Sequence, residues 1–269
     1  MPESALARSR KQRQGTELLC ERLFRPLAHL FVLALAPLRV PPAAVAAASG
    51  TAGLAAAVEL GRGELLAAAA LVQLKTVLDN ADGQLARLTG RTTAFGRYLD
   101  SELDLLVNAA LFAALGWQTG RPAAAVAGFL ALTAVLSVNF NAERLRRAEH
   151  SGGDTAMPEG GGRATAALRS VYALVYGPQD RLVETFVERR LRGRSHAERI
   201  AYHDAATVTV LANLGMSTQL ALFGVCLAAG HPLVFAWLAV AELPVVAALA
   251  LRRETRLRGA VLPPNEEVV

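Results

Sequence analysis

The sequence predicts an all-α polytopic membrane protein with six transmembrane helices and amphipathic helices lying along the interface. Composition gives the first reason: 53% of the 269 residues are apolar and only 19% charged, against about 25% charged in a soluble domain. The second is that the apolar residues fall into blocks near the ~20 residues that a transmembrane helix requires. The third is that the basic residues lie between those blocks and predominantly on one side. Such a chain is not disordered, and with two cysteines it is not a disulfide scaffold. No nucleic-acid partner is expected. That reading needs a basic stripe on a soluble surface, and here the net charge of +5 is parcelled among connecting segments.

Taken in order, residues 1–40 form a polar, Arg-rich cytoplasmic segment that does not resemble a cleavable signal peptide. It holds an interfacial helix over 17–39 (ELLCERLFRPLAHLFVLALAPLR), whose uninterrupted apolar part, Leu30–Leu38, is too short to span. Spans are expected at 41–61, 64–89, 95–116, 122–142, 204–229 and 231–251. Residues 41–251 thus make one membrane domain that includes a long loop, 143–203, and 252–269 make a tail. Six spans put both termini on one side. That side collects seven basic residues in 1–40, three in 87–97, eleven in 143–203 and four in 252–258, and the other only Arg62 and Arg121. By the positive-inside rule the first side is cytoplasmic, and a multi-pass protein of the bacterial inner membrane is expected. Within the loop, SGGDTAMPEGGGR reads as flexible, and 166–192 reads as a second amphipathic element broken near Gly177-Pro178. Cys20 and Cys226 are not expected to pair. Glu59 and Glu242 stand alone and read as interfacial or locally paired.

The second and third spans carry charges that a lipid-facing helix would not. The second has Lys75, Asp79, Asp82 and Arg87; the third has Arg97, Asp100, Glu102 and Asp104. Each Asp or Lys near a helix centre costs roughly 2.5–3.5 kcal/mol to insert, so such residues face a cavity and have a use. At 1.5 Å per residue, Asp79 and Asp82 lie roughly 22 and 27 Å from the outer end, and Asp100 and Asp104 roughly 24 and 18 Å. The eight residues LTGRTTAF join the two spans as antiparallel neighbours. Spacings of i, i+3 and i, i+4 put each aspartate pair on one face. Four carboxylates therefore converge just below the cytoplasmic surface, and Lys75 and Arg87 offset at most two of their charges. Oxygen ligands with no nearby His or Cys suit Mg²⁺ or Mn²⁺, and a pair of such ions suits chemistry at phosphorus. Gly83 and Gly96 let a ligand approach the backbone, and Ala86 keeps the face small. Two readings follow: an enzyme acting at phosphorus, or an ion or proton pathway. The off-centre cluster and the lack of a polar relay in the other spans favour the enzyme.

From Asp79 to Asp104 the chain reads DNADGQLAR-LTGRTTAF-GRYLDSELD. The pattern is Asp-x-x-Asp-Gly-x-x-Ala-Arg, eight residues, then Gly-x-x-x-Asp-x-x-x-Asp. It resembles the signature of the CDP-alcohol phosphotransferase family at all eight positions: Asp79, Asp82, Gly83, Ala86, Arg87, Gly96, Asp100 and Asp104. The resemblance implies a phospholipid-forming transferase with a two-metal centre of Mg²⁺ or Mn²⁺. Asp79, Asp82 and Asp100 would hold the metals at the CDP diphosphate. Asp104, the fourth carboxylate of that metal cluster, would be the base that deprotonates the acceptor hydroxyl. Gly83, Ala86, Arg87 and Gly96 would line the CDP site. It further implies a CDP-alcohol donor, in the first place CDP-diacylglycerol, a polar alcohol acceptor, release of CMP, and a homodimer among membrane lipids. The spacing alone identifies metals and phosphates, not cytidine.

Two features depart from that pattern. Many relatives enter the first span through Pro-Asn-x-x-Thr, where this chain has Pro41, Pro42, Ala43, Ala44 and Val45. The 143–203 loop is longer than a compact member needs, and three roles are open to it: covering the site, dimer contact, or lying on lipid. The motif does not name the acceptor. A phosphorylated polyol would call for two or three arginines converging from the fourth to sixth spans, with Arg144, Arg146 and Arg199 near the right surface.

Overall fold

The computed structural model describes residues 15–151 and 162–259. Residues 1–14, most of the glycine-rich loop (152–161) and the end of the tail (260–269) lie outside the described residues. Within them the chain is helical throughout, with no strand.

A π-helical turn, Cys20–Phe24, leads into α1 (Arg25–Leu35), where Pro26 occupies the first turn at which its missing N–H costs nothing. Ala28 and Val32 are fully buried against Val45, Ala81 and Leu85, while Leu27, Leu30, Phe31 and Leu33 are exposed. This two-faced helix matches the amphipathic element expected over 17–39.

The long helices follow: α2 (Pro42–Arg62), α3 (Leu65–Leu88), α4 (Ala94–Thr119) and α5 (Pro122–Ser151). Then come α6 (Arg163–Val175), α7 (Gly177–Leu191), α8 (His196–Tyr202), α9 (Ala205–Ala212), α10 (Met216–Ala228) and α11 (Pro232–Gly259). Local chemistry sets the boundaries. Gly63 at φ 85° and Gly120 at φ 65° close α2 and α4 in the left-handed conformation. Thr93 caps α4 by accepting the Gly96 N–H, and Ser195 with Glu198 makes a capping box on α8. The break near Gly177-Pro178 falls at Tyr176, between α6 and α7.

Packing divides the bundle into two halves. In one, Phe112 of α4, Phe129 of α5, Phe223 of α10 and Phe235 of α11 cluster together, with Phe223 and Phe235 stacked at a centroid distance of 4.5 Å and Phe129 edge-on to Phe112. Here α2 crosses α4 so closely that a Cβ on Gly53 would stand 2.5 Å from Val107 Cγ1. The other half holds the charged residues of α3 and α4, with α1 packed on α3 and the kinked α6–α7 segment on α4 and α5.

Four stretches are long and apolar enough to cross a membrane, Pro42–Arg62, Pro122–His150, His196–Ala228 and Pro232–Leu257, which marks an integral membrane protein. The remaining two expected spans, α3 and α4, have 24 and 26 residues but fall outside that set because of the polar residues they carry.

The expected fifth span, 204–229, is not one helix. It divides into α9 and α10 at Asn213–Gly215. Asn213 Nδ2 donates to Thr16 O at 2.7 Å and Thr209 O at 2.8 Å, and its Oδ1 accepts from Leu18 N at 2.9 Å. A polar side chain pinned by the N-terminal segment thus interrupts the ladder, and Gly215 follows where a Cβ would lie 2.7 Å from Ala212 O. The sixth span also runs on past residue 251, as helix to Gly259. Cys20 and Cys226 are both buried and not joined by a disulfide; the Cys20 thiol donates to Asn80 Oδ1 at 3.1 Å. Glu59 pairs with Arg62, and Glu242 accepts from Gln219 at 2.7 and 2.8 Å, the local pairing expected of them.

Candidate active site

On α3 the helical repeat places Lys75, Asp79, Asp82, Gly83 and Ala86 along neighbouring positions of one side; on α4 it does so for Gly96, Asp100 and Asp104. The two helices open onto a cavity of about 900 Å³, at the upper end of the range for small-molecule sites. All eight signature residues line it: Asp79, Asp82, Gly83, Ala86, Arg87, Gly96, Asp100 and Asp104.

Asp79, Asp100 and Asp104 each offer a carboxylate oxygen, and these atoms lie within 4.8 Å of one another. Asp82 is buried in the same wall but is not one of that group of three. Three hard oxygen donors drawn this close fit a divalent cation of the Mg²⁺ or Mn²⁺ kind. Lys75, 3% exposed at its side chain, donates to Asp79 Oδ1 at 2.8 Å and to Asp104. It is a resident cation that offsets part of the cluster's charge. At Gly83 a Cβ would stand 3.2 Å from Arg87 Nη1, so the missing side chain leaves the guanidinium room at the wall.

The opposite wall comes from residues the sequence did not single out. Tyr172, Tyr176 and Asp180, four apart on the kinked α6–α7 segment, line the same cavity. Tyr98 of α4 meets Tyr172 edge-on at 5.7 Å, and Tyr172 lies 5.0 Å from Tyr176. Tyr172 Oη donates to Asp180 Oδ2 at 3.1 Å, Asn141 Nδ2 to Asp180 Oδ1 at 2.7 Å, and Tyr176 Oη to Ser101 O at 3.3 Å. Burial and the Asp180 carboxylate push the Tyr172 phenol above its ordinary pKa; burial and Asp104 do so for Tyr176. Both therefore stay protonated as donors. Their four-residue spacing was visible in the sequence as one helix face; its partner across the cavity was not.

The arginines considered for a phosphorylated acceptor lie elsewhere. Arg144 binds Asn141 Oδ1 at 2.9 Å and Glu184 at 3.4 Å, Arg146 donates to the His203 carbonyl, and Arg199 binds Glu149. None of the three lines the cavity. Arg147 does, with Nη2 2.9 Å from Glu143 Oε1 on its own helix. Arg25, Arg87, Arg91 and Arg97 border the cavity from α1, α3, the α3–α4 connection and α4.

Known proteins were compared with the chain. It is 39% identical over 79 residues to a bifunctional IPC transferase and DIPP synthase of Thermococcus kodakarensis, covering 29% of this chain and 18% of that protein. It is 36% identical over 110 residues to a protein of the same name from Rubrobacter xylanophilus, covering 41% and 24%. An archaetidylinositol phosphate synthase of Methanothermobacter thermautotrophicus is 33% identical over 118 residues, covering 44% and 60%. The chain thus spans less than a quarter of the bifunctional relatives' length. No solved structure matches it. The sequence profile of the CDP-alcohol phosphatidyltransferase family matches residues 30–188, more than half of the chain and all of the aspartate signature. The chain belongs to the CDP-alcohol phosphatidyltransferase family.

Proposed function

We propose that the chain transfers a phosphatidyl group from a CDP-alcohol, CDP-diacylglycerol first among candidates, to an alcohol hydroxyl with release of CMP. The observation that carries this is the convergence of Asp79, Asp100 and Asp104 in one cavity with Gly83, Ala86, Arg87 and Gly96.

Asp79, Asp82 and Asp100 would hold two divalent ions, whose bound charge would offset that of the phosphate oxygens. Gly83 and Gly96 leave the backbone open for the nucleotide, and Arg87 offers its guanidinium to phosphate. Asp104 takes the acceptor's proton; the freed oxygen attacks the phosphorus on the lipid side of the diphosphate, the phosphorus–oxygen bond to CMP breaks, and CMP leaves with that electron pair. Proton removal by a positioned base is typically worth about 10²–10⁴-fold. Lys75 holds Asp104 in place through its ammonium. We further propose that all six long apolar segments cross the membrane, with α3 and α4 shielded by their neighbours, that the site faces the cytoplasm, and that the protein is a homodimer.

A relative's name, archaetidylinositol phosphate synthase, supports a second reading of the acceptor, an inositol phosphate. The competing function is ion or proton transport through the aspartates.

The test is CMP release by purified protein given CDP-diacylglycerol, Mg²⁺ or Mn²⁺ and a pool of polar alcohols, beside Asp104→Asn. Release by the wild type alone, with donor binding kept in the variant, supports the assignment. Wild-type turnover in Asp104→Asn removes that residue from its role. Ion flux in vesicles without CMP formation would replace the transferase by a transporter.

A further inference from the structure

We propose that the kinked α6–α7 segment builds the acceptor end of the cavity, and that this end takes an uncharged polyhydroxy alcohol in preference to a phosphorylated one. The proposal rests on the transferase reading above.

Position is the first argument. In this segment, which continues through Tyr176 in helical conformation, α6 packs on α4 and α7 on α5, which brings Tyr172, Tyr176 and Asp180 into the cavity that holds Asp104. The Tyr176 hydroxyl bonds the carbonyl of Ser101, one helical turn from Asp104. An alcohol that surrenders its proton to Asp104 would therefore lie against this wall. The nucleotide's positions, Gly83, Ala86, Arg87 and Gly96, belong to α3 and the start of α4, so the α6–α7 end is left for the acceptor.

Chemistry is the second. Two phenol rings 5.0 Å apart offer apolar faces to a ring's C–H groups and hydroxyls to its oxygens. The carboxylates of Asp180 and Glu143 accept from alcohol O–H groups. A phosphate monoester needs the opposite, guanidinium or ammonium groups that can close on its oxygens. Arg144, Arg146 and Arg199 are bonded to other groups outside the cavity. The arginine of α5 that does line it, Arg147, is bonded to Glu143. With Glu143 and Arg147 paired, the wall keeps the charge of the Asp180 carboxylate, and a dianion there meets like charge; the other cavity arginines, Arg25, Arg87, Arg91 and Arg97, stand on α1, α3, the α3–α4 connection and α4.

The experiment uses the full chain in detergent with CDP-diacylglycerol and Mn²⁺. Glycerol and myo-inositol are compared with glycerol phosphate and inositol phosphate, following CMP and the lipid product. The expected result is a preference of about tenfold or more in kcat/KM for the neutral alcohols, the equivalent of about 1.4 kcal/mol. Glu143→Gln and Asp180→Asn are expected to move that ratio toward the phosphorylated acceptors. Tyr176→Phe is expected to raise the acceptor KM by about 3- to 10-fold, the size of one neutral hydrogen bond, with the KM for CDP-diacylglycerol unchanged. A merely structural role would lower turnover of both acceptor types alike and leave the ratio fixed, which would overturn the proposal. Turnover of phosphorylated alcohols only would overturn it while leaving the transferase in place. No CMP from any alcohol, with no metal-dependent binding of a CDP analogue, would overturn the transferase reading and this one with it.

Discussion

Replacing Lys75 by methionine tests whether the aspartate cluster is a cation site with one cation already built in. The ammonium is 3% exposed and bonds Asp79 and Asp104, whose side chains are 20% and 19% exposed. Methionine keeps most of the length and volume but removes the charge. Of the three carboxylates with oxygens within 4.8 Å of one another, Asp79 and Asp104 would then lose their bonded ammonium. Removing one partner of a buried ion pair costs about 3–5 kcal/mol, and the partial exposure of the aspartates toward the cavity places this case near about 3 kcal/mol. A divalent ion on the same carboxylates supplies the missing charge; at one hundred times its dissociation constant it stabilises the folded state by about 2.7 kcal/mol. The assay is thermal unfolding of wild type and Lys75→Met in detergent, once with EDTA and once with saturating Mn²⁺. The variant should be weaker by about 3 kcal/mol in EDTA, and Mn²⁺ should stabilise it more than it stabilises the wild type. An equal deficit in both conditions would refute the reasoning, since Lys75 and the metal would then not share carboxylates.

Two further substitutions probe the scaffold. Gly53→Leu drives a side chain into Val107, where even a Cβ would stand at 2.5 Å; overpacking of this kind costs about 1–3 kcal/mol, read as a lowered melting temperature in detergent. Asn213→Ala removes the bonds to Thr16 O and Leu18 N. It should free the segment ahead of α1 and speed proteolytic clipping there, with a stability loss of about 1–3 kcal/mol from the backbone groups left without a partner.

Most of the candidate site was legible because its geometry is local. Asp79 with Asp82, and Asp100 with Asp104, share faces through helix periodicity alone, and the short connection returns α4 to the cavity that α3 lines; the direct packing of α3 on α4 expected from it is not found, because α2 packs on both and the cavity separates them. The interruption at Asn213 was not legible in the same way. Its partners, Thr16 and Leu18, lie 197 and 195 positions away, and hydropathy along 204–229 does not register a contact that distant. The arginines failed for a related reason. Arg144, Arg146 and Arg199 stand near the right surface in sequence, but Glu184, the His203 carbonyl and Glu149 take them, and all three belong to the folded loop. Tyr172, Tyr176 and Asp180 could be seen to share a face, yet which helix that face meets is a tertiary fact.

The apolar half of the bundle explains how the charged half keeps its register. Successive residues on a helix are about 100° apart, 3.6 to a turn, so a slip of one residue between α3 and α4 would swing Asp100 and Asp104 out of the cavity. Repulsion among carboxylates favours such a slip, and the single ammonium of Lys75 is not enough to oppose it at every position. What opposes it is packing. Val107, one turn beyond Asp104, is locked against Gly53 of α2, and Phe112, further along the same helix, stacks with Phe223 and packs against Phe129 and Phe235. Close-packed interiors do not deform continuously, so α4 has one rotational setting, and it is the one that brings the two aspartates to Asp79. The alanine- and glycine-rich face of α2, which looks featureless in the sequence, is what permits that approach. In this fold the smallest side chains fix the positions of the most strongly charged ones.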